Sequence, residues 1–142
     1  MSLIATPSRS FAKITTKLVD GFDWISKNEE GKSMIFSTGD NGKYPDPPEA
    51  LVMALGACAG ATVKSIFDFK KYKYSKLDLD LEYEYTKVPQ TRVETINVTI
   101  NTDAEIEPDR MKKIIETTEN KGCYVAGSLK YQVNLKMTYK KF

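Results

Sequence analysis

Two cysteines are the side chains of this sequence best suited to carry chemistry. Cys58 and Cys123 lie far apart in the chain. Two thiols can form a redox pair, in which one thiolate attacks a substrate and the other closes a disulfide. Alternatively, each cysteine is a small buried hydrophobic residue, which is the usual state of a free cysteine. Spacing alone leaves both interpretations open.

The absence of histidine limits the other kinds of chemistry. It excludes Ser-His-Asp and Cys-His nucleophile systems, and it excludes the usual zinc sites. Two cysteines without histidine are a poor set of metal ligands. We therefore expect no metal and no cofactor, and an enzyme of this sequence would use thiols, carboxylates, lysine or arginine.

Length and charge indicate one ordinary domain over residues 1–142. The formal net charge is only +2, and lysines are scattered among acids, so we expect no nucleic-acid partner. The first residues lack the basic start and long apolar core of a signal peptide, which predicts a cytoplasmic protein. Thiols in that compartment are kept mostly reduced.

The segment Asp46-Pro47-Pro48-Glu49 predicts the start of a long helix. Asp46 can accept backbone N–H groups as the N-cap, prolines are tolerated in the first turn, and Glu49 completes a capping box. Residues 51–61 carry no charged side chain, so we expect protein to enclose this helix on all sides. Lys64 and the short apolar length argue against a membrane span.

Small residues surround the first thiol, since Gly56, Ala57, Ala59 and Gly60 flank Cys58. They allow another backbone or a ligand to approach closely. A free thiol is only about 3 % thiolate near neutral pH, so a reactive Cys58 must be activated. Cys58 lies three turns into its helix, beyond the reach of the helix dipole, and we therefore predict a cation beside it.

Glu49 is by default a capping residue. Nine positions at 100° each place Glu49 and Cys58 on opposite sides of a straight helix. If Glu49 serves a thiol site, we expect the thiol to belong to a partner subunit.

Alternating apolar and polar residues predict strands on both sides of this helix. The order is β-β-β-α-β-β-α-β, an α+β fold with mainly antiparallel pairing. The long strand surface and the uncharged helix exceed what a monomer of this size can bury, which predicts an intertwined homodimer. Gly122 is predicted to cap the second helix. The predicted elements cover residues 11–19, 22–26, 32–37, 46–71, 76–86, 91–101, 107–120 and 131–139.

Two motifs resemble those of the OsmC/Ohr family, the osmotically inducible and organic-hydroperoxide-resistance proteins. The segment from Pro47-Pro48-Glu49 to Gly56-Ala57-Cys58 resembles the family helix that ends in small-small-cysteine. Cys123-Tyr124-Val125 resembles its second cysteine box, which is normally Cys-Pro-Val. The resemblance covers nearly the whole chain and places it in a divergent branch.

The resemblance implies an intertwined α+β homodimer with mainly antiparallel sheets around two buried central helices. It implies that Cys58 is the peroxidatic cysteine, Cys123 the resolving cysteine and Glu49 a carboxylate of the site. In the family's peroxidases, an organic hydroperoxide oxidises the first cysteine and the second closes a disulfide. A dithiol reductant such as a lipoyl group then reopens that disulfide.

The family's peroxidases also place an arginine from the N-terminal strand region beside the thiolate. Here Arg9 precedes the first predicted strand, and Lys13 and Lys17 are the cations within it, so these lysines are the candidates for the activating cation. The leading function is a thiol-dependent peroxidase of organic hydroperoxides. The alternatives are a non-catalytic module that binds a small apolar or thiol-bearing ligand at the dimer interface, or a redox sensor.

Overall fold

The computed structural model describes residues 12–131 and 133–142. The chain divides into two compact units, with the boundary between Ala50 and Leu51. Phe11, which starts the first predicted strand, and Arg9 lie outside the described residues. The expectation of one domain over residues 1–142 stays a prediction. The elements are β1 (Ile14–Asp20), β2 (Asp23–Asn28), β3 (Ser33–Ser37), α1 (Pro47–Phe69), β4 (Leu77–Thr86), β5 (Arg92–Thr102), α2 (Pro108–Thr117), a π-helical segment (Thr118–Gly122) and α3 (Tyr124–Lys130).

The first unit contains the predicted antiparallel meander, in the order β1-β2-β3. Gly21 has φ +51° in the turn between β1 and β2, a conformation that glycine adopts without a steric penalty. Trp24 pairs with Leu18 on one side and with Phe36 on the other. The alternation of the first forty residues therefore predicted this sheet correctly.

Buried Ser37 ties the loop before α1 to the end of β3. Its hydroxyl donates to Asp23 Oδ1 over 2.7 Å and accepts the Tyr44 N–H over 3.1 Å. Two bonds then start the helix, because the Glu49 N–H donates to Asp46 Oδ1 over 2.8 Å and the Asp46 N–H donates to Glu49 Oε2 over 3.1 Å. This is the predicted capping box.

In the second unit, α1 packs on the antiparallel pair β4-β5. Its two glycines face this pair: a Cβ added at Gly56 would lie 2.9 Å from Leu81 Cδ1, and one at Gly60 would lie 3.5 Å from Leu79 Cδ1. Close approach to the chain's own β4 therefore explains Gly56, whereas a Cβ at Gly60 would make only an ordinary van der Waals contact. Towards its C-terminal end, α1 buries Val63 and Phe67 completely.

Asp103 joins the end of β5 to the start of β4. Its carboxylate accepts the Ser75 hydroxyl, and it also accepts the backbone N–H groups of Ser75 and Lys76, each over 2.9 Å. The Ser75 hydroxyl is the largest cause, followed by the two N–H groups, of a pKa lowered to about 2. These bonds favour the charged form of the carboxyl group.

One expectation about α1 is wrong and another stays a prediction. In the single chain one side of the helix is open, since Met53 is 55 % exposed and Ala54, Ala57 and Ala61 are exposed on the same side, so its enclosure by protein depends on the predicted partner subunit. At 23 residues, α1 is also long and apolar enough to cross a membrane, contrary to the argument from length. Core helices of soluble proteins meet the same criterion, and the complete burial of Phe67 is typical of such a helix.

The predicted strand over residues 131–139 is not formed. Gln132 lies outside the described residues, and residues 133–142 adopt neither helix nor strand. Leu135 is 78 % exposed and Met137 is 88 % exposed. Alternating residues form a strand only when another strand pairs with them, and this segment has no such pairing within residues 12–131 and 133–142. The α+β class with antiparallel sheets is confirmed, although α3 replaces the last strand in the order.

Candidate functional site

The second cysteine lies at a junction between two short helical segments. Helix α2 continues into the π-helical segment, whose last turn is closed by the bond from Cys123 N to Thr118 O over 3.2 Å. Cys123 has an extended backbone, with φ −98° and ψ 113°, and it is the N-cap of α3. Its Sγ accepts the Ala126 N–H over 3.4 Å. The first turn of α3 therefore starts next to the Cys123 thiol, and its first N–H groups have no carbonyl partner within the helix.

Thr62 of α1 holds this junction against the first cysteine. Its Oγ1 lies 3.0 Å from the Cys58 carbonyl and 3.3 Å from the Gly122 carbonyl, so one hydroxyl contacts both cysteine segments. A Cβ added at Gly122 would lie 2.5 Å from Thr62 Cγ2. Gly122 is thus the last residue of the π-helical segment, and close packing on α1 rather than a helix cap explains the glycine.

This packing brings the two thiols together, as the resemblance implies. Cys123 is only 5 % exposed and forms a buried cluster with Leu55 and Ala59 of α1. Cys58 is half-buried and packs against that cluster. Both cysteines are free, and the Cys123 side chain is near enough to Cys58 to lower its pKa. A disulfide between them needs Cα atoms within about 7 Å or brought there by a modest local shift, and this distance stays a prediction.

Hydrogen bonds from the start of α3 lower the pKa of Cys58. The largest contribution comes from the backbone of Val125, the next from the Cys123 side chain, and a smaller one from the backbone of Tyr124, while burial opposes them. N–H groups that donate to a thiolate favour its charged form. The sequence argument considered the start of α1 and a nearby cation, but not the start of another helix. The predicted cation beside Cys58 stays a prediction.

The pKa of Cys123 moves in the opposite direction. Burial is the largest cause of its raised pKa, and the hydrogen bond to Cys58 adds to the effect, while the Ala126 backbone opposes it. The opposite directions of the two pKa shifts make Cys58 the thiol that ionises first, beside the less acidic thiol of Cys123. A nucleophilic thiolate next to a protonated thiol can be oxidised and then form a disulfide.

The other predicted site residues lie in the first unit. Glu49 makes the capping bonds at the start of α1. Lys13 and Lys17 are exposed and, with Ile25 and Lys27, line a pocket of 250 Å³. Their roles towards Cys58 stay predictions. Among the described residues, no group of three or more cysteine, aspartate or glutamate side chains is placed to hold a metal ion.

A family comparison covers both cysteine segments. The family model described as OsmC-like protein matches residues 39–138. The chain belongs to this family. A search of curated proteins found no match to the sequence.

Solved structures show that the OsmC-like chain has the family's fold. An OsmC-like protein from Mycoplasma pneumoniae has a TM-score of 0.74 at 17 % identity, over 86 % of this chain and 89 % of that one. An organic hydroperoxide resistance protein from Elizabethkingia anophelis has a TM-score of 0.67 at 13 % identity, over 86 % and 90 % of the chains. A Psychrobacter arcticus 273-4 protein, described as a putative osmotic stress induced and detoxification response protein, has a TM-score of 0.71 at 15 % identity, over 84 % and 89 %.

Sequence reasoning missed the backbone donors of this OsmC-like site. No residue type marks them, because every residue except proline has an N–H group. One signal was available in Tyr124, which stands where the resembling Cys-Pro-Val box has proline and thereby adds a donor that proline lacks. Sequence reasoning also missed Thr62, which contacts the carbonyls of both Cys58 and Gly122.

Proposed function

We propose that this OsmC-like protein is a thiol-dependent peroxidase that reduces organic hydroperoxides. The observation that carries the proposal is the pairing of Cys58, whose pKa is lowered by N–H groups of α3, with buried Cys123, whose pKa is raised. A thiolate attacks peroxides and a thiol does not, so the residue with the lowered pKa is the peroxidatic one.

The proposed cycle has three balanced steps. The Cys58 thiolate attacks the terminal peroxide oxygen, the O–O bond breaks, and the alkoxide leaves as an alcohol after taking a proton, which yields Cys58 sulfenic acid. Cys123 sulfur then attacks Cys58 sulfur, and the departing hydroxyl takes the Cys123 proton to form water. A dithiol reductant, such as a lipoyl group, finally exchanges with the disulfide, becomes a disulfide itself and restores both thiols.

The proposal includes a homodimer in the cytoplasm. Exposed Met53 and Ala57 lie on an uncharged side of α1, and Leu135 and Met137 lie on an unpaired segment. A second copy that covers the helix and pairs with the segment would bury both surfaces, since a buried interface is where such apolar residues are stable. Glu49 would then serve a thiol of the partner subunit, and Lys13 or Lys17 would be the cation nearest Cys58.

Two structural relatives support the choice of substrate. The protein from Elizabethkingia anophelis and OhrB of Bacillus subtilis are both described as organic hydroperoxide resistance proteins. They share 13 % and 10 % identity with this chain, so the likeness itself concerns the fold. The arrangement of Cys58 and Cys123 is the support that comes from this chain.

Stopped-flow oxidation of the reduced protein tests the proposal. We expect cumene hydroperoxide to oxidise Cys58 at least about tenfold faster than hydrogen peroxide, which corresponds to about 1.4 kcal/mol of extra transition-state binding from apolar contacts. Cys58→Ser should abolish the fast phase, whereas Cys123→Ser should keep it and lose turnover with a dithiol. Equal rates for both peroxides, at the rate of free cysteine, would contradict the proposal.

A ligand-binding module is the second candidate function. The observation that favours it concerns the described residues, among which the groups that lower the Cys58 pKa are two backbone groups and a thiol of residues 123–125, with no guanidinium. A site without that group can hold a small apolar or thiol-bearing molecule without reducing peroxides. Slow, unselective oxidation combined with saturable binding of such a molecule would favour this function.

A further inference from the structure

A groove in the second unit is lined by residues of α1 and α2 and by Gly122, and neither cysteine lines it. It has a volume of 720 Å³, within the range of about 300–1,000 Å³ that is common for small-molecule sites. Its apolar and aromatic lining residues are Ile66, Phe69, Tyr72 and Ile114. Phe69 is 81 % exposed, and the Lys70 ammonium lies 6.0 Å from the centre of its ring, so an aromatic ring and a cation lie side by side at the groove.

Three basic side chains line this groove. Lys70 follows α1, and Arg110 and Lys113 lie on α2. In the part of the chain that the structure describes, none of the three forms an ion pair, and no acidic side chain lines the groove. A groove that combines apolar side chains with unpaired cations suits a molecule that has an apolar chain and an anionic end. The chain would contact the apolar side chains, and the anionic end would contact the cations.

We propose that this groove binds a single-chain alkyl carboxylate. The carboxylate lies at Arg110 and Lys113, where a guanidinium can hold both oxygens, and the alkyl chain lies along Ile66 and Phe69. An alkyl chain of the same length with a neutral end group would lose the contacts with the cations and keep the apolar contacts.

Two lining residues connect the groove to the segment that carries Cys123. They are Thr62 and Gly122, and their hydrogen bond joins α1 to the residue before Cys123. Neither cysteine is a lining residue. The site is thus separate from the thiols and does not rest on the peroxidase proposal. Its occupant would nevertheless contact Thr62 and Gly122, whose hydrogen bond holds the residue before Cys123.

Calorimetric titration of the purified full chain with decanoate tests the proposal, with 1-decanol as the neutral probe and both kept as monomers in solution. We expect decanoate to bind with a Kd below about 1 mM and more tightly than 1-decanol. Arg110→Gln combined with Lys113→Gln should weaken decanoate binding about fivefold and leave 1-decanol binding unchanged, since each exposed charge contact contributes modestly.

Two matched variants complete the test. Lys112→Gln removes one positive charge from α2 at an exposed position that does not line the groove, and it should leave decanoate binding unchanged. Ser65→Trp fills the groove from its exposed edge and should abolish the binding of both probes. Circular dichroism shows whether each variant is folded.

Several results would overturn the inference. These are no decanoate binding below about 1 mM, equal affinity for decanoate and 1-decanol, or equal weakening by Lys112→Gln and by the double variant. Sedimentation with phosphatidylglycerol vesicles, without binding of monomeric decanoate, would assign the cations to a lipid surface and would also overturn it.

Discussion

Gly122 places the two cysteine segments in contact, and its replacement gives a sharp test of the packing. In Gly122→Ala, the new Cβ would lie 2.5 Å from Thr62 Cγ2. Carbon atoms normally approach to about 3.5–4.0 Å, so α1 and the π-helical segment must separate by about 1 Å or more. Overpacking of this kind costs about 1–3 kcal/mol, and the better helix propensity of alanine offsets less than about 1 kcal/mol. We expect a net loss of about 1–2 kcal/mol in the free energy of unfolding.

A matched control lies five residues later. A Cβ added at Gly127 meets no atom within 4 Å, so Gly127→Ala should stabilise the protein by about 0.5–1 kcal/mol through helix propensity. Thr62→Ser removes the clashing methyl group and keeps the hydroxyl that contacts the Cys58 and Gly122 carbonyls. In the background of Thr62→Ser, Gly122→Ala should therefore cost less.

Urea unfolding measures these differences in the free energy of unfolding. The proteins compared are the parent, Gly122→Ala, Gly127→Ala, Thr62→Ser and the double variant that combines Thr62→Ser with Gly122→Ala. Two results would refute the reasoning. One is a Gly122→Ala variant as stable as the parent, and the other is a destabilisation that Thr62→Ser does not relieve.

The remaining predictions concern charge and protonation. Tyr124→Pro should leave the fold intact, because proline suits the first position of a helix and the preceding residue is extended, but it should raise the Cys58 pKa by removing one donor; thiol absorbance against pH measures this. The charged Asp103 carboxylate, whose pKa is lowered to about 2, stabilises the protein fully above about pH 4, and this stabilisation is lost as the pH falls towards about 2. Asp103→Asn should therefore lower the urea midpoint near neutral pH, and its stability should approach that of the parent in acid. We expect the Cys58 pKa to rise in whichever of Lys13→Met and Lys17→Met removes the predicted cation; an unchanged pKa in both would leave the backbone N–H groups as its source.

Local signals in the sequence predicted most of the elements. The capping residues Asp46 and Glu49 predicted the start of α1, and the alternation of Leu77, Leu79 and Leu81 predicted β4. These signals are local because capping bonds and strand faces depend on residues a few positions apart. The same reasoning failed for α3, which has only seven residues and carries Gly127 in its middle.

Contacts between distant segments could not be predicted in the same way. The alternation of Val133, Leu135 and Met137 identifies one face of a strand but not the strand that would pair with it, and no pairing forms among the described residues. The proximity of Cys58 and Cys123 was implied by the family resemblance and not by their spacing. Its cause is the packing of Gly122 on Thr62, which only the folded chain reveals.

Peptide mapping after mild oxidation tests most directly whether Cys58 and Cys123 work as one redox pair. The reduced protein is treated with one equivalent of cumene hydroperoxide, and its mass and disulfide-linked peptides are measured. We expect an intramolecular Cys58–Cys123 disulfide with the loss of two hydrogens, and in Cys123→Ser a sulfenic acid at Cys58 that dimedone traps. Oxidation that begins at Cys123, or disulfides that form only between chains, would contradict the account.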